Sequence, residues 1–185
     1  MKDYLIQFKP FLLFLAKFAA SYLLLTFIYQ SYLHQFDEKK MEVDSFTQIV
    51  ANQSKLLLSI SDSQSHTGIN TKEASVKLFY KGKWVARIIE GCNAISVIIL
   101  FVSFVIAFTG KLKPTLLFLI IGSLLIHVFN VFRIALLCMA LYNFPQFDSV
   151  LHDVIFPLVI YGLVFLLWIV WVNKYSFYAE LPSEK

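Results

Sequence analysis

A chain of 185 residues that is 58% hydrophobic and 15% charged carries much less charge than soluble domains, which run near ~25%. Nineteen Phe, six Gly, five Pro and a mean hydropathy of +0.70 exclude a disordered, collagen-like or ordinary water-soluble chain. The net charge of +4 comes from 16 scattered Lys and Arg and is no nucleic-acid signal; two cysteines are too few for a disulfide framework and leave one pairing open.

A bilayer core takes roughly 20 apolar residues per helix, and four segments meet that length. The first covers about 10–32 and holds a single charge, Lys17. The second, about 91–110, and the last, about 154–173, are uncharged. The third, about 114–141, is interrupted by His127, Asn130 and Arg133. The first segment is longer than the apolar core of a signal peptide and no small-residue cleavage site follows it, so it reads as a retained helix. The expected fold class is an all-α integral membrane protein with four transmembrane helices and a small extracytoplasmic loop containing α and β structure. Its parts are 1–32 with the first helix, the loop 33–90, a three-helix core 91–173, and a tail 174–185.

Orientation follows the Lys and Arg of short connections. Lys2, Lys9, Lys111, Lys113 and Lys174 flank spans on one side, whereas 142–152 has neither residue. Both termini are therefore expected in the cytoplasm, and 33–90 and 142–152 outside. Lys17, about 10 Å from Pro10 along a helix, can snorkel to cytoplasmic headgroups. Trp168, Trp171, Tyr175 and Tyr178 are expected as an aromatic belt at that interface.

Within the outer loop, Asp44 can cap a helix over about 44–60, with Phe46, Ile49, Val50, Leu57 and Ile60 at helical spacing. Residues 59–71 read as a connector. Two β-rich runs around Lys81-Gly82-Lys83 suggest a hairpin over about 76–88. The loop is either a substrate-guiding cap or a lid that shields the helix ends.

Polar groups inside spans are costly and mark candidate functional positions. Arg133 lies nineteen residues beyond Pro114, roughly 28 Å at 1.5 Å per residue and so near the outer edge of a ~30 Å hydrocarbon layer. Cys92 opens the second span and His152 precedes the fourth, both entering from outside. Three reactive side-chain types are thus placed at one depth on one side. Each also has a plainer reading. Cys92 can be a small apolar filler, Arg133 a snorkelling anchor for lipid phosphate, and His152 an interfacial residue. Cys138 reads as packing. His127 reads as a hydrogen-bonding partner for a neighbouring helix, while Asn130, one turn from Arg133, can orient the guanidinium.

Acyl transfer is the chemistry that would use the set. A thiol needs a nearby cation to favour thiolate; Arg cannot lose its proton and so acts as an electrostatic clamp; His relays protons near neutrality. No metal-ligand spacing, HExxH, GxSxG, Walker or GxGxxG pattern is present, so no cofactor or metal is implied.

Glu90-Gly91-Cys92-Asn93-Ala94 leading into a span, Asn130-Val131-Phe132-Arg133-Ile134 on the next, and His152-Asp153 opening the last together resemble the exosortase/archaeosortase family, most nearly the short exosortase F type of Bacteroidetes. The resemblance covers more than half of the chain, from the β-rich run before Cys92 through the last span. It implies a membrane cysteine transpeptidase or protease that cleaves carboxy-terminal sorting signals of exported proteins near the outer face of the bacterial inner membrane. Cys92 would be the nucleophile, with Arg133 and His152 completing the catalytic set and Asn130 and Asn93 in support. Many members carry Ser-Gly after the cysteine where this chain has Asn93-Ala94. Its partners would be membrane-anchored proteins bearing such a signal, within the lipid bilayer and without nucleic acid. Two other readings stand beside it. One is a non-enzymatic assembly factor that binds a partner's helix through the His127–Asn130 stripe. The other is a lipid-headgroup binder using Arg133.

Overall fold

The protein is represented by a computed structural model that describes residues 8–108 and 110–176; Lys2, Tyr178 and most of the 174–185 tail lie outside the described residues. Helix α1 (Lys9–Leu33) begins with Pro10 in its first turn, where the missing N–H has no intrahelical partner to lose. Two further long helical stretches follow, α4 (Leu112–Asn143) and the run Pro145–Lys174, which ends in α5 (Phe156–Lys174). These three are long and apolar enough to cross a membrane. Their outward sides are bare hydrocarbon: Leu23, Leu24 and Phe27 on α1, Ile120 and Leu124 on α4, and Leu158, Phe165 and Leu166 on α5 are all exposed. A soluble monomer seldom leaves so much contiguous apolar surface uncovered, and such a surface suits lipid.

The expected second span departs from its prediction. The helix there, α3 (Ile95–Ala107), has 13 residues, about 20 Å at 1.5 Å per residue against a ~30 Å hydrocarbon layer. The apolar run is longer than the helix because its start is spent on a tight turn. Glu90–Cys92 forms a 3-10 turn, and Ala94 adopts a left-handed conformation at φ 65°. At the other end Gly110 pairs with Ser176 as an isolated β-bridge. Helix α3 packs between α1, α4 and α5. Its Phe101 and Val105 join Ile126, Ile160, Val164 and Trp171 in the bundle core. Gly122 of α4 permits that crossing, because a Cβ there would run into the Phe101 ring.

The segment between α1 and α3 is a small folded unit. Helix α2 (Ser45–Ser61) is capped by Asp44, whose Oδ1 accepts from the Thr47 N–H at 3.0 Å. Strands β1 (His66–Ile69), β2 (Val76–Tyr80) and β3 (Lys83–Ile88) form an antiparallel sheet in the order β1-β2-β3. Lys81 at φ 50° and Gly82 at φ 72° make the two-residue β2–β3 turn, the twist-matched arrangement that favours glycine. Val50, Ala51 and Leu58 of α2, Leu78, Tyr80 and Ile88 of the sheet, and Val131, Ile134, Ala135 and Cys138 of α4 share one core. That core fixes the sheet to the C-terminal half of α4.

Three local expectations need correction. The 59–71 connector contains the strand β1, too short and glycine-broken to stand out, which gains order by pairing with β2 and by stacking His66 on Phe79 at 4.4 Å. On α2 the buried face is Thr47, Val50, Ala51, Ser54 and Leu58, so Phe46, Ile49 and Ile60 face outward. Polar Thr47 and Ser54 take inward places because small side chains fit beside α4. Trp171 is no belt residue: it is fully buried, its indole N–H donates to the Phe108 carbonyl at 2.9 Å, and its ring packs on Phe118.

Candidate active site

The turn before α3 sets the position of the thiol. The Cys92 N–H donates to the Ile89 carbonyl at 2.9 Å and the Asn93 N–H to Glu90 at 3.1 Å, folding the chain back from β3 toward the bundle. The Asn93 side chain, almost wholly buried, is the knot that holds this turn. Its Nδ2 donates to Tyr29 of α1 at 2.8 Å and to Thr47 of α2 at 3.2 Å, while its Oδ1 accepts from the Ile95 N–H at 2.9 Å. Asn93 therefore satisfies an otherwise orphaned donor at the start of α3 and ties three helices beside Cys92. Ala94 holds φ 65°, a conformation that costs a non-glycine residue ~1–2 kcal/mol. Glycine is the residue that fits it without strain.

From α4, Asn130 is fully buried and bridges two of the expected site residues. Its Nδ2 donates to the Cys92 carbonyl at 2.8 Å, and its Oδ1 accepts from Arg133 Nη1 at 3.2 Å. Nε of Arg133 is buried without a hydrogen-bond partner, an uncommon state for a guanidinium. His127 stands apart from this set, bonded through Nε2 to Gln53 of α2 at 2.8 Å.

The third contributor comes from the connection into α5. Pro157 has no N–H and its ring crowds the carbonyl four residues back, so the helix widens just ahead of it. The Phe156 N–H reaches to Leu151, one residue farther than in an α-helix, which makes 151–155 a π-type turn. Such turns are enriched at functional sites, and this one carries His152 and Asp153. His152 Nδ1 lies 2.8 Å from Asp153 Oδ1. An Nδ1–H at that distance would donate to the Asp153 carboxylate.

Cys92, Arg133 and His152 line one cavity of about 380 Å³. Its remaining wall comes from β3 and the residue after it (84–89), from Ile134, Leu137 and Leu141 of α4, and from Asp148. Comparison of this chain with known protein families, with characterised proteins and with solved structures finds no match. The site is therefore read from its own chemistry. Cys92 is half-buried and Cys138 fully buried in the α2–sheet–α4 core, so of the two thiols Cys92 is the one that opens to a cavity. Among the described residues, no three His, Cys, Asp or Glu side chains gather as a metal-holding group. Sequence reasoning missed β3 as a wall of the site, as well as Tyr29, Thr47 and Asp148. The tyrosine and threonine lay in segments read as an apolar span and a loop helix, and only the fold brings them to Asn93.

Proposed function

We propose that this chain is a membrane-embedded cysteine transpeptidase or protease of the exosortase type, acting on the carboxy-terminal sorting signals of exported, membrane-anchored proteins. The observation that carries the reading is the shared cavity wall of Cys92, Arg133 and His152, which come from three separate segments of the chain. In the reaction His152 Nε2 takes the thiol proton and sulfur adds to the scissile carbonyl. Arg133, whose guanidinium lines the cavity, stabilises the oxyanion that forms. The C–N bond then breaks, the departing amine receives the proton from His152, and a thioester remains on Cys92. Water or an amine resolves that thioester and regenerates the thiol.

The arrangement in the membrane is part of the same proposal. Helix α3 acts as a fourth crossing, its short length made up by the turn at 90–94 and the bridge at Gly110. Irregular backbone is tolerated at that depth where protein surrounds it. Both termini face the cytoplasm and the cavity opens at the periplasmic face of a bacterial inner membrane. The assembly-factor reading needs a free polar stripe on α4, yet His127 is bonded to Gln53 and Asn130 to Cys92 and Arg133.

The test follows, in the native host, proteins that end in an apolar segment and a basic tail. Cys92→Ala should abolish their processing while leaving the level of the membrane protein unchanged. Arg133→Lys should lower the processing rate at least tenfold, because a point charge does not reproduce the planar donor fork. Normal processing by Cys92→Ala would remove the proposal, and normal processing by Arg133→Lys would favour a lipid-headgroup role for the cation.

A further inference from the structure

Strand β3 is an edge strand. Among the described residues it pairs with β2 alone, and residues 84–89 form a wall of the cavity that holds Cys92. The chain leaves the strand at Ile88 and reaches Cys92 four residues later, so the strand runs toward the thiol. An unpaired edge presents backbone donors and acceptors at a two-residue repeat, and the group that matches such a row is another extended backbone. The register sets which backbone groups face that open side: Asn70 N–H donates to Ser75, so 75, 77 and 79 of β2 bond to β1 and 76, 78 and 80 bond to β3. Ala86 and Ile88 are therefore engaged with β2, and the backbone of Arg87 between them is directed to the open edge.

We propose that the substrate enters as an extended peptide that adds a fourth strand along the open edge of β3, with its scissile carbonyl brought to Cys92. This rests on the cysteine acyl-transfer reading and specifies how the peptide is held. A cavity of about 380 Å³ sits at the lower end of ligand-site sizes and accommodates a few residues of chain rather than a folded partner. Backbone pairing supplies affinity with little demand on side chains, and the side chains lining the groove, Val85 and Arg87 among them, supply selectivity at alternate positions.

The test uses acetyl-tetra-alanyl chloromethyl ketone and its four singly N-methylated forms on the full-length protein in nanodiscs. In the alkylation the sulfur displaces chloride from the methylene carbon. Its rate at Cys92 is followed by peptide mass mapping and compared with that of iodoacetamide. N-methylation removes an amide donor, so the forms methylated at amides facing β3 should react about tenfold more slowly and the intervening ones near the parent rate, a period-two pattern. Equal rates for all five reagents, with iodoacetamide still selecting Cys92 over Cys138, would overturn strand addition and leave the cysteine enzyme standing. Failure of iodoacetamide to select Cys92 would overturn both proposals.

Discussion

Replacing Asn130 with Leu keeps the side-chain volume close and removes two hydrogen bonds. The first, from Nδ2 to the Cys92 carbonyl, is 2.8 Å long and made by a fully buried residue. Leaving a buried carbonyl unpaired costs ~1–3 kcal/mol, although hydrogen bonds between membrane helices average nearer ~0.6 kcal/mol because the unfolded chain in lipid also finds partners. Here the acceptor is in a turn outside any helix, where the chain loses a defined backbone partner, so ~1–1.5 kcal/mol is the better expectation. The second bond, from Arg133 Nη1, is long at 3.2 Å and half-solvated, which limits it to about 0.5–1 kcal/mol. Together the loss is about 2 kcal/mol, or a Tm lowered by roughly 4–8 °C for a chain of this size. Thermal unfolding in nanodiscs measures this, with the Arg133→Met background as a second arm. There the Asn130→Leu cost should shrink by the Arg133 share alone, to about 1–1.5 kcal/mol. An Asn130→Leu protein melting within 1 °C or so of the parent would refute the assignment of Asn130 as the brace between thiol turn and guanidinium.

Three other outcomes are expected. Ala94→Gly relieves ~1–2 kcal/mol of left-handed strain but gives back a similar amount in a buried methyl and in chain entropy; it should melt within about 1 kcal/mol of the parent, whereas Ala94→Val, β-branched at φ 65°, should be clearly less stable in the same assay. Gly122→Leu should destabilise by ~1–3 kcal/mol through overpacking, and Phe101→Ala in the same chain should recover part of the loss, since the Phe101 ring is what the new side chain meets. In the three-stranded sheet the Arg87 guanidinium, 2.6 Å from Glu73, holds that carboxyl below the usual glutamate range, with Ser75 and Asn70 adding hydrogen bonds. A depressed folded value means the stabilisation is complete above about pH 4.3, the unfolded glutamate value, and is lost as pH falls through the lower folded value. The Tm difference between parent and Glu73→Gln should therefore be present at pH 6 and vanish in strong acid.

What the sequence made legible is what local chemistry controls. Asp44 before an apolar-periodic run announced α2, because a short acceptor side chain at that place has one favourable use. Lys81-Gly82 announced the hairpin, because a two-residue turn with two positive φ values admits few residues. The three long spans followed from the ~30 Å a helix must cross. Where the sequence misled, tertiary packing had overridden a local signal. The uninterrupted apolar run after Gly91 promised a full-length helix, yet Asn93 is engaged with Tyr29, Thr47 and Ile95, and those bonds hold the first residues in a turn. Likewise the large apolar residues of α2 suggested its inner face, while the close approach to α4 selects for small ones. Trp171 joined the core because its N–H found the Phe108 carbonyl, a partner sixty-three residues away that no pattern reveals.

The irregular geometry around the cysteine has one physical consequence that links these departures. A thiol on a regular helix at this depth would have its carbonyl consumed by the helix ladder and its side chain aimed at a neighbouring helix or at lipid. A 3-10 turn followed by a left-handed residue instead ends β3 and starts α3 within a few residues, so that strand edge, thiol and helix start adjoin. The turn also frees the Cys92 carbonyl to accept from Asn130, which couples the backbone at the thiol to the guanidinium one helical turn along α4. The strain at Ala94 is offset by the buried Asn93 bonds, each worth about 1 kcal/mol net. Asn93→Ala should therefore release the turn toward a longer, regular α3, and the same change that regularises the helix should withdraw Cys92 from the cavity. Slower iodoacetamide labelling of Cys92 in that variant, alongside unchanged or increased helical content by circular dichroism, is the expected pairing. Faster labelling would instead mean that Asn93 shields the thiol rather than positioning it.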